Sequence, residues 1–136
     1  MPAMGLFGRK RQREAVSLSP LLVEGKRARL AVGSEYNPGA YRGRREGEAV
    51  VVELVAETKN PHDRNAVALV FGGQLAGYLG RGPAAEYQPS VRRANSLGWS
   101  VQVHGEIERV TGELAVRVRV PHVADLDAAV DAASLT

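Results

Sequence analysis

Beyond residue 28 the chain breaks into short apolar runs divided by Gly, Pro and Asn clusters, and several of these runs alternate with the two-residue period of a strand. Ala49 to Glu57 (AVVVELVAE) is β-branched and predicts a strand. The polar cluster TKNPHDRN turns the chain, and Ala66 to Phe71 (AVALVF) predicts the next strand. Gly72-Gly73 is a hairpin signal, because a tight primed turn needs two residues at positive φ, and Gln74 to Leu79 returns as the partner. Trp99 to Val110 and Leu114 to Val120 alternate around a Thr111-Gly112 turn. In the second, Leu114, Val116, Val118 and Val120 face one way, and Ala115, Arg117 and Arg119 the other. A shorter run, Arg29 to Gly33, predicts a strand ended by the polar SEYNPG.

The remaining segments read differently. Pro83 to Leu97 has helical composition, with Pro83 suited to a first helical position and Gly98 to a C-cap. Pro89 interrupts it, which predicts two short helices or one kinked one. YRGRREGE, after Tyr36, reads as a mobile loop. Pro121 ends the sheet, and residues 122–136 form a tail or a short helix. Residues 1–28 show no sustained period and read as a flexible arm, although Leu21, Leu22 and Val23 can pair with something. The expected fold is mainly β (α+β): a small OB-like β-barrel of about six strands over residues 29–121, with a helical pair inserted before the last two strands.

Charge changes this picture more than composition does. Residues 1–30 hold seven basic and two acidic side chains, and residues 31–136 hold eleven and thirteen. The net charge of +3 therefore comes from the leader, and a basic arm attracts phosphate backbones without sequence preference. With one Trp, four Tyr and two Phe, aliphatic and Ala side chains must form most of the core. No cysteine is present, which excludes disulfides, thiolate metal sites and a cysteine nucleophile. No apolar run approaches membrane-spanning length, and MPAMGLFGRKRQR reverses the order of a secretory signal, so a cytoplasmic location is expected.

The motifs NPHDRNAVALV and GQLAGYLGR, with the Ala-rich helix and the VQVHGEIERV strand after them, resemble the HIRAN domain. The family signature, Asn-Pro-x-Asp-x-Asn-Ala followed by Gly-x-x-x-Gly-Tyr-Leu, is met by Asn60, Pro61, Asp63, Asn65, Ala66, Gly73, Gly77, Tyr78 and Leu79. The resemblance spans roughly residues 29 to 120. It implies an OB-like barrel that, in DNA-remodelling helicases, recognises single-stranded DNA and notably a free 3′ end. It also implies roles for particular residues. Asp63 matches the position that accepts a hydrogen bond from the terminal hydroxyl. Tyr36 matches an aromatic that packs on the terminal nucleotide, and Arg81 lies near a basic position at the helix start. His62 stands where animal members place a Tyr. Two departures are visible: Glu35 stands where the family has a phosphate-contacting Arg, and the C-terminal aromatic that sandwiches the base has no clear counterpart.

The residues also have readings of their own. Asn60 and Asn65 suit a turn, where Asn side chains satisfy backbone amides, and an Asp in a Pro-containing turn such as Asp63 often caps its own backbone. The His62 ring can stack on a base, but no second ligand lies at metal spacing. Arg42, Arg44 and Arg45 lie in the loop after Tyr36, where they can close over a phosphate backbone. Arg117 and Arg119 form either a basic stripe or the wet face of the last strand.

No GxxxxGK[ST], HExxH or GxSxG motif occurs, and a helicase needs an ATPase motor that this sequence lacks. The expectation is a non-enzymatic module without metal or cofactor that binds single-stranded DNA or another nucleic acid. The alternative is an interaction domain whose same barrel face holds an acidic or carboxylate-bearing protein partner, for instance one in DNA processing. Neither reading involves a membrane.

Overall fold

The computed structural model describes residues 18–135. Arg9, Lys10, Arg11 and Arg13 of the expected basic arm lie outside the described residues. The elements in chain order are β1 (Ser19–Leu22), β2 (Arg27–Leu30), β3 (Ala49–Glu57), β4 (Ala66–Phe71), β5 (Gln74–Tyr78), α1 (Arg81–Ser96), β6 (Trp99–Val110), β7 (Glu113–Val120) and α2 (Val123–Ser134). Two 3-10 turns, Ser34–Tyr36 and Pro38–Tyr41, lie between β2 and β3.

The strands run in the order β2-β7-β6-β3-β4-β5, antiparallel throughout. Past the end of β2, Val32 exchanges two backbone hydrogen bonds with Tyr78 at 2.8 and 2.9 Å, so the two edges of the curled sheet meet. The expected small OB-like barrel is present. Curling is possible because β3 and β6 each change partners along their length. The first half of β3 pairs with β6 and the second with β4. On its other edge β6 pairs with β1 in parallel over Trp99 to Gln102 and with β7 over Gly105 to Val110. At Gly105 an added Cβ would lie 3.1 Å from methyls of both Val52 and Val116, so glycine there lets the inner faces of three strands converge.

Both hairpins use the residues their geometry demands. Gly72 and Gly73 sit at φ +59° and +75°, and Thr111 and Gly112 at +46° and +87°. A bulge in β5 places Ala76 between Gly77, opposite Leu69, and Leu75, opposite Val70, and sharpens the local twist. β4 is buried along its whole length. Val67, Leu69 and Phe71 join the main core with Val52, Val103, Ile107 and Val118, while Ala68 and Val70 lie with Val55 under Leu75 and Tyr78.

The helices complete the core. Ala84, Tyr87, Val91 and Ala94 line one face of α1, at helical spacing, and all are buried. Leu126 and Val130 of α2 are also buried, and Arg93 of α1 pairs with Asp127 and Asp131. The helical pair expected around Pro89 is a single 16-residue helix. Pro89 lies on the exposed side, and so does Ala85, whose carbonyl loses its i+4 partner; water can satisfy that group, and the helix continues. Residues 19–22 and 27–28, assigned to the arm from sequence, are strand.

Candidate nucleic-acid interface

The turn between β3 and β4 is built by its own side chains. Asn60 Oδ1 accepts from the amides of His62 (2.8 Å) and Asp63 (3.2 Å), and Asn60 Nδ2 donates to Glu57 Oε1 at 3.1 Å. Asp63 Oδ1 accepts from the Asn65 amide at 2.9 Å. These are the local bonds that make Asn and Asp turn residues, and they hold six residues in one shape.

Two side chains of α1 pin that turn to the barrel. Arg81 Nη2 donates to the His62 carbonyl at 3.2 Å, and Gln88 Nε2 to the Arg64 carbonyl at 3.3 Å. Gln88 is only 2% exposed, so its amide is taken out of water to make that contact. At the base of the turn, Tyr78 bonds Glu57; burial, then the Glu57 charge, pushes the phenol up to about 12. Turn, β5 and the start of α1 are thus one connected unit. The exposed Lys59, His62 and Arg64 stand around it, together with the half-buried Asp63 carboxylate. No side chain caps the N-terminus of α1.

Sequence-predicted residues fall into two groups. Asn60, His62, Asp63 and Arg81 come together as described. Tyr36 is not tied to them: Val32, four residues before it, pairs with Tyr78, but from there the chain runs along β5 away from the turn, to Tyr41 at Ala76, and the Tyr36 side chain is 82% exposed. Glu35 is exposed beside it. Arg44 and Arg45 do not join this group. Arg44 Nη1 bonds Glu48 Oε2 at 2.6 Å, and its guanidinium lies 5.1 Å from the centroid of Phe71, at the hairpin end of β4. Its hydrogen bond to Glu48 holds that carboxyl below its usual range. Arg45 is tied to the same glutamate through its amide at 3.2 Å. The six residues of β4, about 17 Å of strand, separate this cluster from the Asn60 turn. Arg42 is exposed and lines a hollow with Glu35, Tyr41 and Glu113. The segment read as a mobile loop is therefore anchored at Tyr41 and Arg44.

Sequence reasoning missed Lys59, Arg64 and Gln88. Lys59 borders the turn and Arg64 lies in it, and both were legible as charges; Gln88 was legible only as a polar residue on the apolar face of the helix. It also missed Tyr41. Its buried hydroxyl donates to the Ala76 carbonyl (2.9 Å), accepts from the Val116 amide (3.1 Å) and lies 3.2 Å from Ser34 Oγ. It joins β5 to β7 where β2 no longer lies between them. Among the described residues no group of three or more His, Cys, Asp or Glu side chains is placed to hold a metal ion, and no helix is long and apolar enough to cross a membrane.

These features define a small OB-like barrel with one helix packed across its core and a side-chain-built turn at its rim. Among solved structures, the chain is similar to the HIRAN domain of human HLTF, with 21% identity over 79% of this chain and 84% of that one, at a TM-score of 0.49. It is similar also to a Lactobacillus plantarum protein, with 18% identity over 72% of this chain and 95% of that one, at a TM-score of 0.49. No protein-family model matches the chain, and no curated protein matches it.

Proposed function

We propose that this domain binds nucleic acid without catalysis, and that its ligand is single-stranded DNA held at a free 3′ end by the rim around the Asn60–Asn65 turn. The observation that carries this reading is the pinning of that turn to the start of α1. It sets the Asp63 carboxylate in a turn ringed by Lys59, Arg64 and Arg81, next to an uncapped helix N-terminus. Free amides and the helix dipole favour a phosphate at the helix start, and Arg81 has donors beyond the one given to His62. Asp63 accepts from a terminal 3′ hydroxyl and repels a 3′ phosphate. Tyr36, whose side chain is exposed, offers a ring for the last base, a contact worth about 1–3 kcal/mol. His62 offers a second, smaller face.

Charge sets the strength of such binding. The described residues hold fourteen Lys and Arg against fourteen Asp and Glu, so the barrel itself has no net attraction for a polyanion. Local cations and the basic leader supply it, and Glu35 opposes it. Binding is therefore modest and falls with salt.

The test is fluorescence anisotropy with labelled single-stranded oligonucleotides ending in a 3′ hydroxyl or a 3′ phosphate, at two salt concentrations. A preference for the hydroxyl that disappears in Asp63→Ala is the expected result. Equal, salt-sensitive binding to both ends would assign the affinity to the basic arm alone, and no binding at low salt would overturn the nucleic-acid reading.

A further inference from the structure

A different surface of the barrel has the opposite character. Where β2 leaves the sheet, Leu30 to Glu35 run beside the β6–β7 hairpin, and a concavity of about 510 Å³ lies between them. Its walls combine the apolar Leu30, Val32, Val110 and Leu114 with the polar Ser34 and Thr111, and Val32 is half exposed to solvent. Glu35 and Glu113 stand at its edge and are shared with a second hollow of about 370 Å³, which continues to Arg42. Neither glutamate has an ion-pair partner among the described residues, whereas Glu46, Glu48, Glu86 and Glu108 each have an arginine. The trough thus joins a group of four apolar side chains to two unneutralised carboxylates, with Arg42 closing the acidic stretch. An occupant that fits it has bulky apolar side chains followed by positive charge.

The chain contains such a segment. Leu6-Phe7-Gly8-Arg9-Lys10-Arg11 places two large apolar residues immediately before three cations. We propose that the trough docks this leader segment, with Leu6 and Phe7 against Leu30 and Val32 and the cations opposite Glu35 and Glu113. Reach permits it. β1 starts at Ser19, paired with Trp99, and the trough lies at the other end of β6, at most about 36 Å away along the strand. The thirteen steps from Leu6 to Ser19 cover about 44 Å when extended. The segment can therefore arrive from its own molecule, and from a neighbouring copy without constraint. Burying Leu6 and Phe7 removes apolar surface from water, and pairing the cations neutralises carboxylates that the barrel leaves alone.

The absence of cysteine makes the test direct. Spin labels are attached to the full chain at Gly8→Cys and Thr111→Cys, and the distance distribution between them is measured by pulsed dipolar spectroscopy. A narrow, short-distance population is expected, lost in Glu35→Lys/Glu113→Lys and restored when Arg9, Lys10 and Arg11 are also replaced by Glu. Leu6→Ser/Phe7→Ser, which leaves the barrel untouched, is expected to remove the population as well. Mixing two singly labelled chains reports whether the docked segment belongs to the same molecule or a neighbour, and either arrangement supports docking. A broad, long distribution in the unaltered background would overturn the proposal, and so would a short one indifferent to both the charge reversal and the serine variants. No nucleic acid enters the measurement, so its outcome is separate from that of the anisotropy test.

Discussion

Replacing Tyr41 with Phe removes one oxygen from a site where that oxygen does the work of a missing strand. β2 stops pairing with β7 at Leu30, and the Val116 amide beyond that point would have no partner without the Tyr41 hydroxyl. On the other side, the Ala76 carbonyl belongs to the β5 bulge and takes the hydroxyl proton. Phenylalanine keeps the ring and its edge contact with Phe71, whose centroid is 5.5 Å away. The loss is therefore confined to hydrogen bonds. A buried polar group left without a partner costs about 1–3 kcal/mol, and carbonyls tolerate the loss better than amides. Tyr41→Phe should destabilise the domain by about 2–4 kcal/mol, a large part of the roughly 5–15 kcal/mol that holds a domain folded. Urea unfolding followed by Trp99 fluorescence and by circular dichroism measures it, with the midpoint shifted and the m-value unchanged. Tyr36→Phe, at an exposed position, should stay within about 0.5 kcal/mol of the parent. A Tyr41→Phe midpoint indistinguishable from the parent would show that another group serves the Val116 amide, and the account of the barrel seam would be wrong.

Other consequences can be checked separately. Gly25→Ala should abolish soluble, folded protein: a Cβ there falls far inside van der Waals contact with the backbone of Val120 and Pro121, where the chain crosses from β1 to β2. Tyr78 should titrate at about 12, read by ultraviolet absorbance at 295 nm. Because its folded value is raised, the unfolded chain loses this proton first, so the Tyr78 contribution to stability is intact below pH 10 and declines as pH rises from about 10 to 12. Titration at the ordinary value of 10 would argue against the contact with Glu57. Gln88→Ala should speed hydrogen exchange at the amides of His62, Asp63 and Asn65 while the exchange of β6 amides stays slow; unchanged turn amides would mean that Gln88 does not hold the turn.

What the sequence makes legible depends on how local the cause is. The bounds of β3, β4 and β6 follow from β-branched runs that end at turn residues, and the structure places them at the same residues. The Asn60 turn is equally local, since its bonds join neighbours. Pro89 misleads because the rule against proline in a helix assumes an inward-facing carbonyl, and which face is outward is a tertiary fact. The strand character of Ser19–Leu22 was legible only as an ability of Leu21, Leu22 and Val23 to pair, for the same reason: four residues without a marked period become a strand only because β6 offers an edge. Tyr41 and Arg44, in a segment rich in glycine and arginine, read as solvent-facing, yet one closes the seam and the other packs on Phe71. Arg81 illustrates the limit for the candidate site. Its place near a basic position at the helix start was given by resemblance, but its bond to the His62 carbonyl depends on where α1 docks.

The pairing of the first two strands with the last two has a consequence for how the molecule is made. β1 must find β6 about eighty residues later, and β2 must find β7 about ninety residues later. At synthesis rates of about 5–20 residues per second, each waits roughly 4–18 s on the ribosome for its partner. The β3-β4-β5 meander has no such delay, because its contacts lie within one short stretch. Assembly therefore begins in the middle of the chain and closes from both ends at once, a high-contact-order route whose slow step is the meeting of distant strands. A nascent chain halted before Glu113 carries Arg27 to Leu30 with no strand to receive them.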